Sequence, residues 1–278
     1  MSELRRDPIS GRWVIVASER AARPSDFVAP RPPQDGRFCP FCPGHEGSTP
    51  DEILHRRAPD ARESELWSVR VFANRYPALR VEGELVRSAH GIFDRISGVG
   101  AHEVIVETPR HDEALGDLSL TSIAEVLRVW RDRMVDLARD GRLAYVSIFK
   151  NQGAAAGATL AHEHSQLLAL PHVPRDVAIE YENAEDHHRR KHRCLACDLI
   201  RQEIDEGARV VHESERFVAL CPWASPTPFV VRIYPKVHAS HYEASSDDLL
   251  GALAGILRIV LRKLGTALEH PAYNLVLS

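Results

Sequence analysis

The sequence has no long apolar run. Nowhere does it approach the roughly 18 consecutive apolar residues of a membrane span, which excludes a helical membrane protein. The opening Met1-Ser-Glu-Leu-Arg-Arg-Asp-Pro has no apolar segment behind its arginines, so no secretory signal is expected and the chain reads as cytoplasmic. A surplus of positive charge is also lacking. Thirty-five Lys and Arg stand against 39 Asp and Glu, a formal net charge of −4, which excludes a global basic field for nucleic acid. Cysteine is sparse and odd in number, five in 278 residues. Four of the five form two C-x-x-C motifs, and without an export signal these point to metal or redox chemistry rather than a disulfide framework. What is present is an ordinary globular balance, 44% hydrophobic and 27% charged. The length suits one large domain or two of about 100–200 residues, with a substantial core.

Along the chain, Trp13-Val-Ile-Val16 reads as a short strand followed by an arginine-bearing loop. A Pro/Gly connector at 29–37 then leads into Cys39-Pro-Phe-Cys42. Val69-Arg-Val-Phe72 and Val104-Ile-Val-Glu107 are strand candidates. A helix starting near Ser119 or Thr121, either a good N-cap, carries Ile123, Val126, Leu127, Trp130, Met134 and Leu137 on one face. Gly141 is its expected end, and a strand over 143–149 follows. The second half repeats this order. It has Cys194-Leu-Ala-Cys197, strands at Phe217–Leu220 and Phe229–Ile233, then Pro235-Lys-Val-His238. A helix capped at 245–248 with apolar residues from Leu249 to Leu264 comes next, and a strand at Tyr273–Leu277 comes last. The matched order is an internal duplication of a unit of about 130–150 residues, too long for a solenoid repeat. The expected halves are 1–173 and 174–278. Between them, the charged run Glu180 to Arg193, with His187, His188 and His192, reads as a solvated helix or loop rather than a metal site.

The densest chemical signal runs from Phe149 to Gln166, FKNQGAAAGATLAHEHSQ. Its small-residue loop lets backbone amides approach a ligand closely and offers them to phosphate oxygens. If the H-x-H-x-Q segment is a strand, the period of two places His162, His164 and Gln166 on one face and Glu163 on the other. A merely polar surface strand is the plainer reading, and the triple alternation after a Gly/Ala loop weighs against it. The first C-x-x-C supplies two thiolates with the bite of a tetrahedral metal site that two histidines would complete. His111 and His162 are the candidates, with His45, His55, His90 and His102 as runners-up. A redox C-x-x-C would want a thioredoxin-like βαβ context, whereas the proline-rich approach here suits a zinc knuckle. Cys194 and Cys197 repeat the pattern, with His238 as positional counterpart of His111 and His241 as the near alternative. Cys221 stands alone and reads as a small buried hydrophobe.

Taken together, these segments resemble a known family. DPISGRWV at 7–14, Arg20-Ala-Ala-Arg23-Pro, the first C-x-x-C, Phe72-Ala-Asn74-Arg-Tyr-Pro, Glu107-Thr-Pro-Arg-His111 and the F-x-N-x-G-x3-G-x4-H-x-H-x-Q run resemble galactose-1-phosphate uridylyltransferases, of the histidine-triad superfamily. Specific motifs carry the resemblance over residues 7 to about 172, and order of elements carries it beyond. It implies an α+β, duplicated histidine-triad-like fold, mostly antiparallel sheet with amphipathic helices packed on it. It further implies zinc held by Cys39, Cys42, His111 and His162, and a second zinc at Cys194, Cys197 and His238. His164 would be the nucleophile, Gln166 would bond the phosphoryl oxygens, and Arg20, Arg23, Asn74, Asn151, Gly157 and Thr159 would contact the nucleotide sugar. The implied activity moves UMP from UDP-glucose to a hexose 1-phosphate such as galactose 1-phosphate through a uridylyl-histidine. A homodimer is implied as the partner state.

The sequence also departs from the family pattern. H-E-H-S-Q stands where H-P-H-G-Q is usual, and Lys150 and Gln152 replace an acidic and a basic residue. These changes lean toward the ADP-sugar phosphorylase branch, so adenylyl transfer from ADP-glucose to phosphate is the alternative. A hydrolase of the superfamily is disfavoured by the Arg/Asn nucleotide-sugar segments, and a zinc-stapled binding module without catalysis by the His164–Gln166 pair. His162 follows Tyr145 by 17 residues, and the same interval from Tyr273 places a second H-x-H near 290, beyond Ser278. The second zinc site is therefore expected to lack its fourth ligand within this sequence.

Overall fold

Alternation of apolar and polar residues sets the main layer, a six-stranded antiparallel sheet with one face against helices and one face open. The computed structural model describes residues 3–16, 38–60, 62–63 and 66–277. An N-terminal hairpin pairs β1 (Glu3–Arg6) with β2 (Trp13–Val16). The first half continues with β3 (Glu52–Arg56), β4 (Val69–Ala73), β5 (Arg87–His90), β6 (Phe93–Ile96) and β7 (Ala101–Val106). Then come α1 (Leu120–Leu137), β8 (Tyr145–Gln152) and β9 (His164–Leu170). The second half holds α2 (Arg175–Lys191), α3 (Leu195–Glu206), β10 (Val210–Glu213), β11 (Phe217–Leu220), β12 (Arg232–Pro235), α4 (Asp247–Ala267) and β13 (Tyr273–Leu277). The fold is α+β.

The large sheet has the order β13-β8-β9-β7-β4-β3, while β10-β11-β12 form a separate three-stranded sheet and β5-β6 a hairpin. The last strand of the chain therefore joins the large sheet at its β8 edge, Tyr273 facing Gln152 and Leu277 facing Ile148. On the helix side, Val71, Ile105, Ile148, Leu167 and Ala169 meet Ile123, Leu127 and Trp130 of α1 and Leu250, Ala254 and Leu257 of α4 in one core. Each large side chain buried there contributes roughly 1.5–3 kcal/mol. Two polar contacts orient α1 on the sheet. Trp130 Nε1 donates to Ser165 Oγ at 2.9 Å, and Arg133 bridges Glu103 at 2.7 and 2.8 Å, all buried.

Helix α1 begins at Ser119, whose Oγ accepts from the Ser122 amide at 3.0 Å, so Ser119 rather than Thr121 is the cap. It ends at Leu137, short of Gly141, because Ala138 already closes the last turn onto Met134 and Asp136. The strand expected at Phe229–Ile233 begins only at Arg232, since Phe229 sits at φ 64°, a left-handed conformation that extended pairing excludes. The charged run at 180–193 lies largely in α2, which buries none of its residues.

Candidate active site and metal centre

The open face of the sheet carries the site. On β9 the period of two points His164 and Gln166 outward, and Ser165 and Leu167 toward α1. Across the ladder, Val106 faces His164 and Val104 faces Gln166. At one end of this face, Cys39 and Phe41 pack on Trp67, Phe72, Val104 and Val106, which fixes the C-x-x-C turn against the sheet. Cys39, Cys42, His111 and His162 then bring four ligand atoms within 4.8 Å of one another. Cys42 Sγ lies 3.4 Å from His111 Nδ1 and 3.6 Å from His162 Nδ1, and Cys39 Sγ 3.5 Å from His162 Nδ1.

The protonation chemistry of His162 and Cys42 suits a metal. His162 Nε2 lies 2.7 Å from the Thr108 carbonyl and donates to it, which leaves the Nδ1 lone pair facing the thiols. Burial pushes the His162 ring down to about 4, against the bond it donates to the Thr108 carbonyl. Burial and the adjacent Cys39 thiol push Cys42 up to about 11. A neutral imidazole is ready to ligate, while the Cys42 thiol needs a nearby cation to lose its proton. Two thiolates and two imidazoles in this spacing match a four-coordinate, closed site for a divalent metal of the zinc type.

His164 is buried beside the cluster, its ring edge-on to Phe41 at 5.4 Å. Its Nδ1 donates to the main-chain carbonyl of His162 at 2.7 Å, so the Nε2 lone pair is uncommitted. Burial holds the ring below the usual imidazole range, hence neutral at physiological pH. Gln166 lies one pleat further along. Its Oε1 is 2.8 Å from His102 Nε2 and 3.5 Å from Asn74 Nδ2.

Beneath the nucleophile candidate lies an arrangement that sequence reasoning did not foresee. Lys150 is fully buried, donates to Glu107 Oε2 at 2.7 Å and to the His164 carbonyl at 3.1 Å, and pairs with Glu163. Burial opposes its charge, but Glu107 and Glu163 outweigh burial and hold the ammonium above its ordinary value. Glu163 also accepts from the Leu115 amide at 3.0 Å and, in the orientation its neighbours require, from the Gln152 amide at 3.0 Å. Lys150, Gln152 and Glu163 thus form one contact set. A usable signal was present in the sequence: all three are departures from the family pattern, and the alternation already turned Glu163 away from His164.

A sequence profile described as galactose-1-phosphate uridyl transferase, N-terminal domain, matches residues 1–174. The chain belongs to the galactose-1-phosphate uridylyltransferase family. It is 35% identical to ADP-glucose phosphorylase of Arabidopsis thaliana over 277 residues, 98% of this chain and 76% of that protein. It is 31% identical to galactose-1-phosphate uridylyltransferase of Thermotoga maritima over 264 residues, 95% of this chain and 76% of that one. The crystal structure of the Arabidopsis phosphorylase with bound ADP-glucose superimposes with a TM-score of 0.81 at 34% identity, covering 99% of this chain and 81% of that chain. A uridylyltransferase structure follows at 0.74 and 29%, covering 99% and 79%.

Among residues the family resemblance marks, Arg20 and Arg23 lie outside the described residues. Asn74 reaches the Gln166 side chain, whereas Asn151 on β8 accepts from Asn274 of β13 at 2.7 Å. Gly157, at φ 91°, and Thr159 are exposed in the loop between β8 and β9. Cys194, Cys197 and His238 form a second cluster, with Cys197 Sγ 3.3 Å from His238 Nδ1 and His238 exposed. His241 instead bonds Ser240. The runners-up for the first cluster are engaged elsewhere or apart from it: His45 with the Cys39 carbonyl, His55 with Glu52, His102 with Gln166, and His90 exposed on β5. Of the three histidines in the charged run, His187 pairs with Asp198 at 2.9 Å, and none joins a metal cluster among the described residues. Cys221 is half-buried rather than buried, and desolvation raises its thiol. Among the described residues, no helix is long and apolar enough to cross a membrane.

Proposed function

We propose that this chain transfers a nucleotidyl group from a nucleotide sugar to a phosphate-bearing acceptor through a covalent bond to His164. The observation that carries the reading is the state of that ring. Its Nδ1 is committed to the His162 carbonyl, and burial keeps it neutral, so Nε2 presents a lone pair. A neutral imidazole is a competent nucleophile at phosphorus. In the first step Nε2 attacks the α-phosphorus. The P–N bond forms, the bond to the bridging oxygen breaks, and sugar 1-phosphate leaves with the electron pair. In the second, an acceptor phosphate oxygen attacks the same phosphorus and the P–N bond breaks, returning a neutral ring. Gln166 and the amides of the 153–158 loop stabilise the charge on the phosphoryl oxygens. Arg20, Arg23, Asn74, Asn151, Gly157 and Thr159 hold the nucleotide sugar in this reading.

Cys39, Cys42, His111 and His162 would hold zinc with four protein ligands, which makes the ion a structural clamp on the segment that carries His164. Cys194, Cys197 and His238 would hold a second. Residues 1–173 and 174–278 are read as two copies of one duplicated unit, supported by the repeated order of cysteine pair, strands, helix and strand. Exposed Ile92 and Phe93, at the tip of the β5–β6 hairpin, support the homodimer as an apolar surface for a second copy.

Two donors fit this chemistry. UMP transfer from UDP-glucose to galactose 1-phosphate is what the transferase relatives support. ADP-glucose phosphorolysis, with phosphate as acceptor, has a specific observation in its favour: Lys150, Gln152 and Glu163, departures toward the phosphorylase branch, are joined in one contact set around buried Lys150 and Glu163. The greater likeness to the Arabidopsis phosphorylase supports it as well. The test is to incubate the protein with ADP-glucose or UDP-glucose labelled at the α-phosphate and to look for an acid-labile label on protein. Labelling from ADP-glucose, discharged by phosphate to ADP, is expected. Labelling from UDP-glucose alone, discharged by galactose 1-phosphate, would establish the transferase instead, and no label from either would end the covalent mechanism.

A further inference from the structure

We infer that His102 is the positioning residue that sets which end of the Gln166 amide faces the phosphoryl group, an inference that rests on the nucleotidyl-transfer reading above. A chain of hydrogen bonds leads to Gln166, its polarity dictated by the backbone. The Ala78 amide N–H can only donate, and it lies 3.1 Å from His102 Nδ1. That nitrogen must carry the lone pair, so the neutral ring carries its hydrogen on Nε2. Nε2 lies 2.8 Å from Gln166 Oε1 and therefore donates to it. A second chain runs in parallel. The Tyr76 amide donates to Asn74 Oδ1 at 2.9 Å, which turns the Asn74 nitrogen toward the same Gln166 oxygen at 3.5 Å.

Two donors thus converge on one end of the Gln166 amide. Their nitrogens, 3.1 Å apart, share that acceptor rather than bond each other. Rotating Gln166 by half a turn would set its NH2 against both, so the amide is held with its donors free. A phosphoryl oxygen needs donors, and this orientation supplies them before substrate arrives. The strand register makes the contact possible: His102 sits two residues from Val104, the partner of Gln166, and so is its diagonal neighbour on the open face. The short segment from Asn74 to Ala78 supplies both backbone donors, so the loop after β4 determines the polarity of the site.

The test uses the full chain and single-turnover labelling from α-phosphate-labelled ADP-glucose and UDP-glucose. His102→Phe keeps a ring but removes both polar contacts. It should slow formation of the labelled protein by about ten- to a hundredfold, the scale of a misplaced catalytic group, with nucleotide-sugar Kd unchanged. His102→Gln can accept from Ala78 and donate to Gln166, and it should recover most of the rate. In a Gln166→Ala background, His102→Phe should cost nothing further. Wild-type labelling by His102→Phe, or an equal loss with and without Gln166, would overturn the inference. Should wild type itself label from neither donor, the nucleotidyl reading fails and takes this one with it. A readout independent of turnover is the imidazole tautomer by nitrogen-15 NMR. Hydrogen on Nε2 of His102 is expected, and hydrogen on Nδ1 would overturn the assignment even if the variants failed to fold.

Discussion

Lys150 donates to the main-chain carbonyl of His164 across 3.1 Å from a fully buried position. The same ammonium balances two buried carboxylates, Glu107 and Glu163. Removing one partner of a buried ionic set leaves uncompensated charge, which costs about 3–5 kcal/mol. Lys150→Met should therefore destabilise the chain by that order in urea denaturation. The double variant Lys150→Met, Glu163→Gln should regain part of the loss, because one carboxylate is then neutral. A single variant as stable as wild type would show that the cation does not balance these carboxylates.

His164→Ala should lose turnover by several orders of magnitude while still binding nucleotide sugar, because only the attacking group is removed. Calorimetric titration and steady-state assay of the same preparation check this. Retention of a tenth of wild-type turnover would remove His164 from the nucleophile's role.

Metal analysis should find one to two zinc atoms per chain. Cys39→Ser should lower both the metal content and the unfolding temperature, because in a structural site metal-binding free energy is folding free energy. Chelator treatment of wild type should reproduce the destabilisation. A Cys39–Cys42 disulfide in freshly purified protein would contradict the metal site.

Gly100 packs its backbone against β9. A Cβ there would lie 2.3 Å from the Ala169 carbonyl oxygen and 2.8 Å from Leu79 Cδ1. The carbonyl belongs to a paired strand and has little room to yield, so Gly100→Ala should cost about 1–3 kcal/mol. Gly141→Ala meets open space and should change stability by no more than about 0.5 kcal/mol. Comparing the two melting curves separates local crowding from a general intolerance of alanine.

The sequence by itself determined the elements whose signals are local. The start of α1 near Ser119 or Thr121, its apolar face, β11 at Phe217–Leu220 and β13 at Tyr273–Leu277 all lie where capping and periodicity put them, the structure choosing Ser119 as the cap. The alternation in H-x-H-x-Q also turned Glu163 away from His162 and His164 before any partner was known, and the resemblance grouped Cys39 with Cys42, His111 and His162, which the structure brings within 4.8 Å. Only the tertiary structure decided that β13, the last strand, pairs with β8, since strand edges are matched by shape and register far apart in the chain. It alone placed Lys150 among Glu107, Glu163 and the His164 carbonyl. It also turned His102 from a runner-up ligand into the partner of Gln166. The reason is physical: burial and hydrogen-bond polarity at these residues depend on which backbone donors and charged groups converge from β7, β8 and β9, and that convergence has no local period to be read.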